Sequence, residues 1–312
     1  MVRIDFMKTF VEVVNCGSLK KASESLGMSV SSVSFQVNSV EELYGAKLLK
    51  RTSNGVSLTE EGKIALKNME MILSSIEETK RLISNIKGDR ISLASGMVGI
   101  NLLHNIQVLL KARYPKLDIR VEHIGAHKCI EGILTGKYDF AIVGDILDEH
   151  MCNERLYIEE IGYDRLVLIT PVNHKLATKS VVKLEDVIKE PIIVLTEDYG
   201  ITTSLKKALA KSGVKYEDLN IAYVVNDLFS QIHGVSSGMG VAITSYIATC
   251  KACEVGLIKI RDIKDFKSDR KIYFVTTKLT MESKKMREYA EFIINKGKQL
   301  FRDFAEQCMI LS

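Results

Sequence analysis

No proline occurs before Pro115 in this chain, and Gly17, Gly27, Gly45 and Gly88 close successive apolar repeats. A proline-free run of that length can be helical nearly throughout, with glycine left to punctuate it. Asp5 serves as an N-cap, and Phe6, Phe10, Val13 and Val14 follow at helical spacing up to Gly17. Ser18 caps a second helix carrying Leu19, Ala22 and Leu26, which Gly27 ends. Ser29 caps a third, whose Val33, Val37, Val40 and Leu43 are expected to face the first two helices. Two short extended runs then flank Asn54-Gly55, which reads as a β-hairpin. Three short helices and a hairpin in this order make a winged helix-turn-helix over residues 1–59, with the helix-turn-helix at about 18–37.

Thr59, Glu60 and Glu61 open a helix that runs to about Lys87, in a linker at 60–88. Leu66, Met69, Leu73, Ile76 and Ile83 repeat on one side of it, with Ala65, Ile72 and Ile86 beside them. An apolar seam on a helix leaving a small domain needs a partner, and a second copy of the chain is the expected one. From Arg90 the pattern changes to strands alternating with helices, in about two units. Alternation of that kind implies parallel sheets. The expected strands include Ile91–Ala94, Ile119–Ile124, Phe140–Val143, Leu166–Thr170, Ile192–Leu195, Ile221–Val225 and Ile272–Thr276, and a closing helix ends at Gly297.

Composition narrows the class. At roughly 150 residues per domain, 312 residues imply about two domains. The longest uninterrupted apolar run, Ile221–Val225, falls far short of the ~20 residues of a membrane span. The polar start, Met1 to Asp5, gives no expectation of a signal peptide, so the expected compartment is the cytoplasm. A net charge of +4 does not by itself indicate nucleic acid.

The motifs do. Phe10, Val13, Gly17, Ser18, Ala22, Ser23 and Leu26 are followed by Ser29, Val33, Gln36, Val37, Val40 and Gly45, then by Leu48, Leu49, Arg51, Val56, Leu58, Thr59 and Gly62. This series resembles the DNA-binding domain of LysR-type transcriptional regulators. Further on, Leu109, Tyr114 and Pro115, then Gly136, Asp139 and Ile142, then Pro171, His174 and Leu176, then Gly234, Gly238, Gly240 and Ile243 resemble that family's effector domain. The resemblance covers about 1–300 and leaves out the apolar tail, 301–312, which could pack on the lobes or on a neighbour.

The resemblance implies an α/β fold. A winged helix-turn-helix and a linker helix precede a periplasmic-binding-protein-like effector domain at 89–300. Lobe I would take about 90–163 and 268–297, and lobe II about 164–267. It also implies the partners: double-stranded DNA, a small-molecule effector, further copies in a homodimer or homotetramer, and RNA polymerase. Residue chemistry agrees. Ser31, Ser34, Phe35 and Asn38 are left outward on the third helix, where hydroxyls and amides can meet base edges or phosphates. Ser18 and Ser29 sit at helix starts whose amides can face phosphate. Arg51 and Ser53 lie at the hairpin, beside Lys47 and Lys50, for backbone or minor-groove contact. The family usually carries Gln and often Arg where Val30 and Phe35 stand here, so an arginine–guanine contact gives way to pressure on a thymine methyl.

Ligands of open α/β sheets bind beyond the carboxyl ends of strands. Ser95, Gly96, Met97 and Val98, His127, Thr202 and Thr203, and Asn226 lie in such loops. They are candidate contacts for a small polar or anionic metabolite. No arrangement of residues suggests an enzyme, a cofactor or a dinucleotide loop. Cys250 and Cys253, three apart on a helix, keep open a redox- or metal-responsive regulator, and a nonspecific architectural DNA protein is a third possibility.

Overall fold

The structure is a computed structural model, described here for residues 3–52, 55–96, 99–144, 146, 148–197 and 199–310. It divides into two compact units, Met1–Leu82 and Ile83–Ser312.

The first unit holds α1 (Ile4–Cys16), α2 (Leu19–Leu26), α3 (Val30–Tyr44), β1 (Leu49–Thr52), β2 (Gly55–Leu58) and most of α4 (Glu60–Gly88). α1, α2 and α3 each end on a glycine in the left-handed conformation, which a residue with a Cβ enters only under strain. The hairpin pairs Leu49 with Leu58 and Thr52 with Gly55. Phe10, Val13, Ala22, Val33, Val37, Val40, Leu48, Ala65 and Met69 form one core, so α4 is clamped to the helices by its first turns. Burying a side chain the size of Phe10 contributes on the order of 2–3 kcal/mol. Two expectations change. Leu43, expected to face inward, is exposed near the end of α3, beyond the reach of α1 and α2. Met69, expected on the seam offered to a partner, is 0% exposed within its own unit.

The second unit runs β3 (Arg90–Ser95), α5 (Gly99–Arg113), β4 (Asp118–His123), α6 (Ala126–Leu134), β5 (Phe140–Gly144), α7 (Asp148–Met151), β6 (Leu156–Thr170), α8 (Lys175–Thr178), α9 (Leu184–Val187), β7 (Ile192–Leu195) and α10 (Gly200–Lys211). It continues with β8 (Ile221–Val225), α11 (Leu228–Ser236), β9 (Ala242–Ser245), α12 (Tyr246–Glu254), β10 (Lys259–Arg261), β11 (Asp269–Thr277), α13 (Lys278–Glu282) and α14 (Lys284–Ile310). One lobe carries the strand order β4-β3-β5-β11-β6. The other is built on the far half of β6, which pairs with β9 and β10, while β7 pairs with β8 and touches Val241 beside β9.

These sheets are mixed, not parallel as the alternation implied. β3–β4, β3–β5 and β7–β8 are parallel, but β6 and β11 run antiparallel to each other and to the other strands they pair with. β6 passes between the lobes: it pairs with β11 up to Arg165, then with β9 from Leu166. A strand that serves two sheets cannot keep one helix-crossover hand throughout. β6 also begins ten residues before the expected Leu166, because its first half is only partly buried and carries Tyr157, Glu159, Glu160 and Tyr163 among its apolar residues. At the other end, α14 passes through Gly297 without a break. Phe301 of that helix packs against Gly162 of β6, where any Cβ would collide with its ring. The start of the tail is thus part of this unit's own packing.

Within the second unit, Asn85 near the end of α4 donates to Asp139 Oδ1 at 2.8 Å. The other oxygen of that buried carboxylate accepts from the Ser92 amide and hydroxyl, each at 2.7 Å. The end of α4, β3 and the entry to β5 are thereby joined through one side chain.

Candidate nucleic-acid interface and effector cleft

The outer face of α3 begins with a knot of hydroxyls. Ser29 Oγ accepts from the Ser32 amide at 3.1 Å and lies 2.9 and 2.8 Å from Ser31 Oγ and Ser32 Oγ. The first turn therefore presents three hydroxyls around a helix N-terminus, where unpaired amides already favour an anion. Val30, Ser31 and Asn38 are exposed and Ser34 is half-buried. Phe35 is 64% exposed, held edge-on by Phe6 at 6.1 Å between ring centroids. Ser18 stands at the N-cap position of α2 but makes no side-chain capping bond. Ser53 lies outside the described residues, as does the side chain of Arg51.

Two contacts fix the pose of α3, and neither follows from the motifs alone. Thr9 on α1 donates to Gln36 Oε1 at 2.6 Å. Glu41, 6% exposed, accepts from the Leu48 and Leu49 amides at 2.9 and 3.2 Å and from Lys47 Nζ at 2.6 Å. Burial would raise its carboxyl, but Lys47 and the two amides win, and the group sits below its ordinary value. A glutamate on an otherwise apolar helix face, ahead of a strand, is the signal that could have identified it. The hairpin is also tied back to α1: the Val56 amide donates to Gly17 O at 2.9 Å.

On α4 the exposed or half-exposed apolar residues are Ile64, Leu66, Met71, Ile72, Leu73, Ile76 and Ile83. Leu66 also packs on the core of its own unit, so the seam left to a partner starts near Ile72 and Leu73.

In the second unit, strand ends and helix starts converge on a narrow cleft lined by Gly96, Ala126, Gly144, Tyr199, Gly200, Ile201 and Arg270. Of the expected contacts, Gly96 is in it. Ser95 stands next to it, fully buried, with its hydroxyl donating to Gly96 O at 2.6 Å. Thr202 turns away: its hydroxyl faces Leu195 O at 3.0 Å and Thr196 O at 3.1 Å, closing the end of β7. Thr203 is half-buried outside the lining, and Asn226 is exposed, its carbonyl accepting from Tyr199 Oη at 2.5 Å. His127 is exposed and faces His150, ring centroids 5.3 Å apart, instead of the cleft. Met97 and Val98 lie outside the described residues.

Arg270 was not anticipated, because it stands just before the strand that the sequence pattern places at Ile272–Thr276. It is 4% exposed, opposite Asp164 in the β6–β11 ladder. Asp164 is buried, and burial pushes its carboxyl up against the opposing pull of Arg270 and Ser245.

Among the described residues, no group of three His, Cys, Asp or Glu side chains could hold a metal ion, and no helix is long and apolar enough to cross a membrane. Cys250 is buried on α12 with its Sγ 3.3 Å from Ile247 O, and Cys253 is half-buried; neither forms a disulfide among the described residues.

Comparison with known proteins agrees with this geometry. Residues 4–63 match the family model described as "Bacterial regulatory helix-turn-helix protein, lysR family", and residues 89–298 match "LysR substrate binding domain". An uncharacterized HTH-type transcriptional regulator of Methanocaldococcus jannaschii is 33% identical over 295 residues, covering 93% of this chain and 98% of that one. Full-length BenM has the same fold, with a TM-score of 0.57 at 19% identity, over 97% of this chain and 98% of BenM. The regulatory domain of CcmR from Synechocystis PCC6803, solved in complex with 2-PG, superposes with a TM-score of 0.59 at 16% identity, over 67% of this chain and 97% of that domain. With a helix-turn-helix and a two-lobed α/β domain each matched, and a relative one-third identical along nearly its whole length, this chain belongs to the LysR family of DNA-binding transcriptional regulators.

Proposed function

We propose that this regulator reads the two half-sites of an interrupted inverted repeat as a homodimer or homotetramer, and that a small polar or anionic metabolite held between the lobes alters that binding or its effect on RNA polymerase. The observation that carries the reading is the outward face of α3. Its Ser29–Ser31–Ser32 hydroxyls and exposed Phe35 and Asn38 are what a helix placed in the major groove needs for phosphate and base-edge contact. Val30, Ser31, Ser34, Phe35 and Asn38 would face bases, with Ser18, Ser29, Arg51 and Ser53 toward the backbone. Leu73, Ile76 and Ile83 would pair two copies of α4, which supplies the two-fold symmetry an inverted repeat requires. A cleft at the carboxyl ends of strands, and the 2-PG held by the similarly folded CcmR domain, support a small-molecule effector. Such a protein acts where the chromosome is, so we place it in the cytoplasm.

The test is binding to a labelled fragment from upstream of its own gene, against excess random DNA, across a salt series. Retention of the fragment under competition is expected, with affinity falling steeply as salt rises. Equal loss of fragment to random DNA at every salt concentration refutes the proposal in favour of an architectural DNA protein.

A further inference from the structure

We propose that the end of the effector unit where α4 joins β3 is a second DNA contact, a basic surface that holds phosphates of the duplex without reading bases. Three short segments, Lys87–Arg90, Lys111–Arg120 and Glu282–Glu288, carry nine lysines and arginines against four carboxylates, a local net of +5. The whole chain has a net charge of only +4, so its positive charge is concentrated here and the remainder is slightly acidic.

The fold brings the three segments together. Arg90 and Asp118 open β3 and β4 side by side, at the end of the sheet opposite the cleft. Arg90 Nε and Arg120 Nε lie 2.6 and 3.8 Å from Asp118 Oδ2. The Asp118 amide donates to Asp89 O at 2.8 Å, and Lys285 at the start of α14 pairs with the Asp89 carboxylate. Tyr114, beyond the end of α5, stands edge-on to Tyr289 at 4.9 Å between ring centroids and donates to Glu288 at 2.9 Å. Three of the four carboxylates are thus engaged inside the cluster. Lys87, Lys116 and Lys284 are exposed and form no ion pair among the described residues.

A surface of one sign fits either an acidic protein or nucleic acid. A protein interface is built around an apolar centre. Within these segments none of the described large apolar side chains is exposed. Phosphate contact needs no such centre; it needs cationic side chains spread over several elements, each meeting one phosphate of a row. The surface is also tied by one continuous helix, α4, to the helix-turn-helix, so DNA held there is presented to it at high effective concentration.

The full-length protein is assayed for binding to its upstream fragment and to random duplex of the same length, across a salt series. The test variant combines Lys87→Gln, Lys116→Gln and Lys284→Gln. The control variant removes the same charge from the other lobe, through Lys207→Gln, Lys211→Gln and Lys259→Gln, all at exposed positions. Three lost phosphate contacts should lower the slope of log affinity against log salt by about 2 to 3 per DNA-bound chain. Affinity for both duplexes should fall together, on the order of 10- to 100-fold at low salt, with the preference between them unchanged. The control variant should keep the wild-type slope, and so should arginine at Lys87, Lys116 and Lys284.

An unchanged slope in the test variant overturns the proposal; if transcription from the fragment falls all the same, the surface belongs to an acidic protein. Equal losses in test and control variants also overturn it, because overall charge alone then explains them. So does a loss confined to the upstream fragment, or one that arginine at the three positions fails to restore. Should wild type show no preference for the upstream fragment, the half-site reading falls, while the slopes on random duplex still judge this surface.

Discussion

Replacing Glu41 with alanine should loosen the hairpin from the recognition helix. The wild-type carboxylate accepts from two amides, at Leu48 and Leu49, and from Lys47 Nζ. Leu48 is 1% exposed, so water cannot easily replace the lost acceptor at its amide. Hydrogen bonds to a charged group contribute ~1.5–3 kcal/mol each, and alanine returns a few tenths in helix propensity. Lys47 is largely exposed, and its ion pair adds little. The expected loss is about 3–4 kcal/mol, a large share of the ~5–15 kcal/mol that holds a domain together. Glutamine keeps one acceptor without the charge and should lose about half as much.

The same carboxylate makes the loss depend on pH. Its folded value lies below its unfolded one, so its stabilisation is present above the unfolded value and disappears as pH falls through the folded value. The gap between wild type and Glu41→Gln should thus be widest near neutrality and close under acid conditions. Since the chain has two compact units, amide exchange at Leu48 and Leu49 is a better assay than a single melting temperature. Exchange should accelerate by two to three powers of ten in Glu41→Ala, as ~3–4 kcal/mol requires. Unchanged protection at both amides, or a gap that widens in acid, would refute this account of how the hairpin is anchored.

Two further outcomes are expected. If Phe35 presses on a thymine methyl, replacing thymine by uracil in the bound fragment should weaken wild type severalfold and leave Phe35→Ala indifferent; equal responses of the two proteins would remove Phe35 from base readout. If the cysteines are not the sensing groups, Cys250→Ser with Cys253→Ser should respond to effector and to peroxide as wild type does, since Cys250 is buried; a response abolished in the double variant would restore the redox reading.

The first unit was largely legible because its signals are local. Ser18 and Ser29 mark the starts of α2 and α3 and glycines the ends of α1 to α3, Asn54-Gly55 marks the hairpin, and α1 starts earlier than expected, with Arg3 and not Asp5 at its N-cap position. Local pattern could not say which side of α4 was already occupied: Met69 and Leu73 look alike in sequence, but only the first meets Phe10 and its neighbours. In the second unit the parallel strands were visible as apolar runs, while the half-exposed start of β6 was hidden by its glutamates. The candidate site divides the same way. Ser95 and Gly96 follow from their place at a strand end. Thr202 has the right place, but its hydroxyl is taken by backbone carbonyls. Arg270 reaches the cleft only through the β6–β11 pairing, across about a hundred residues of sequence.

That pairing also determines how the effector lobes can move. β6 alone continues from one lobe into the other, β11 starting opposite Arg165, and at the changeover Ser268 Oγ accepts from the Leu166 amide at 2.8 Å. A pair of free loops would let the lobes swing like a door. A single continuous strand bonded into a sheet on each side of the crossover resists sliding and splaying, because each would break ladder bonds. Relative movement of the lobes must therefore pass through the backbone of β6 at Arg165–Leu166.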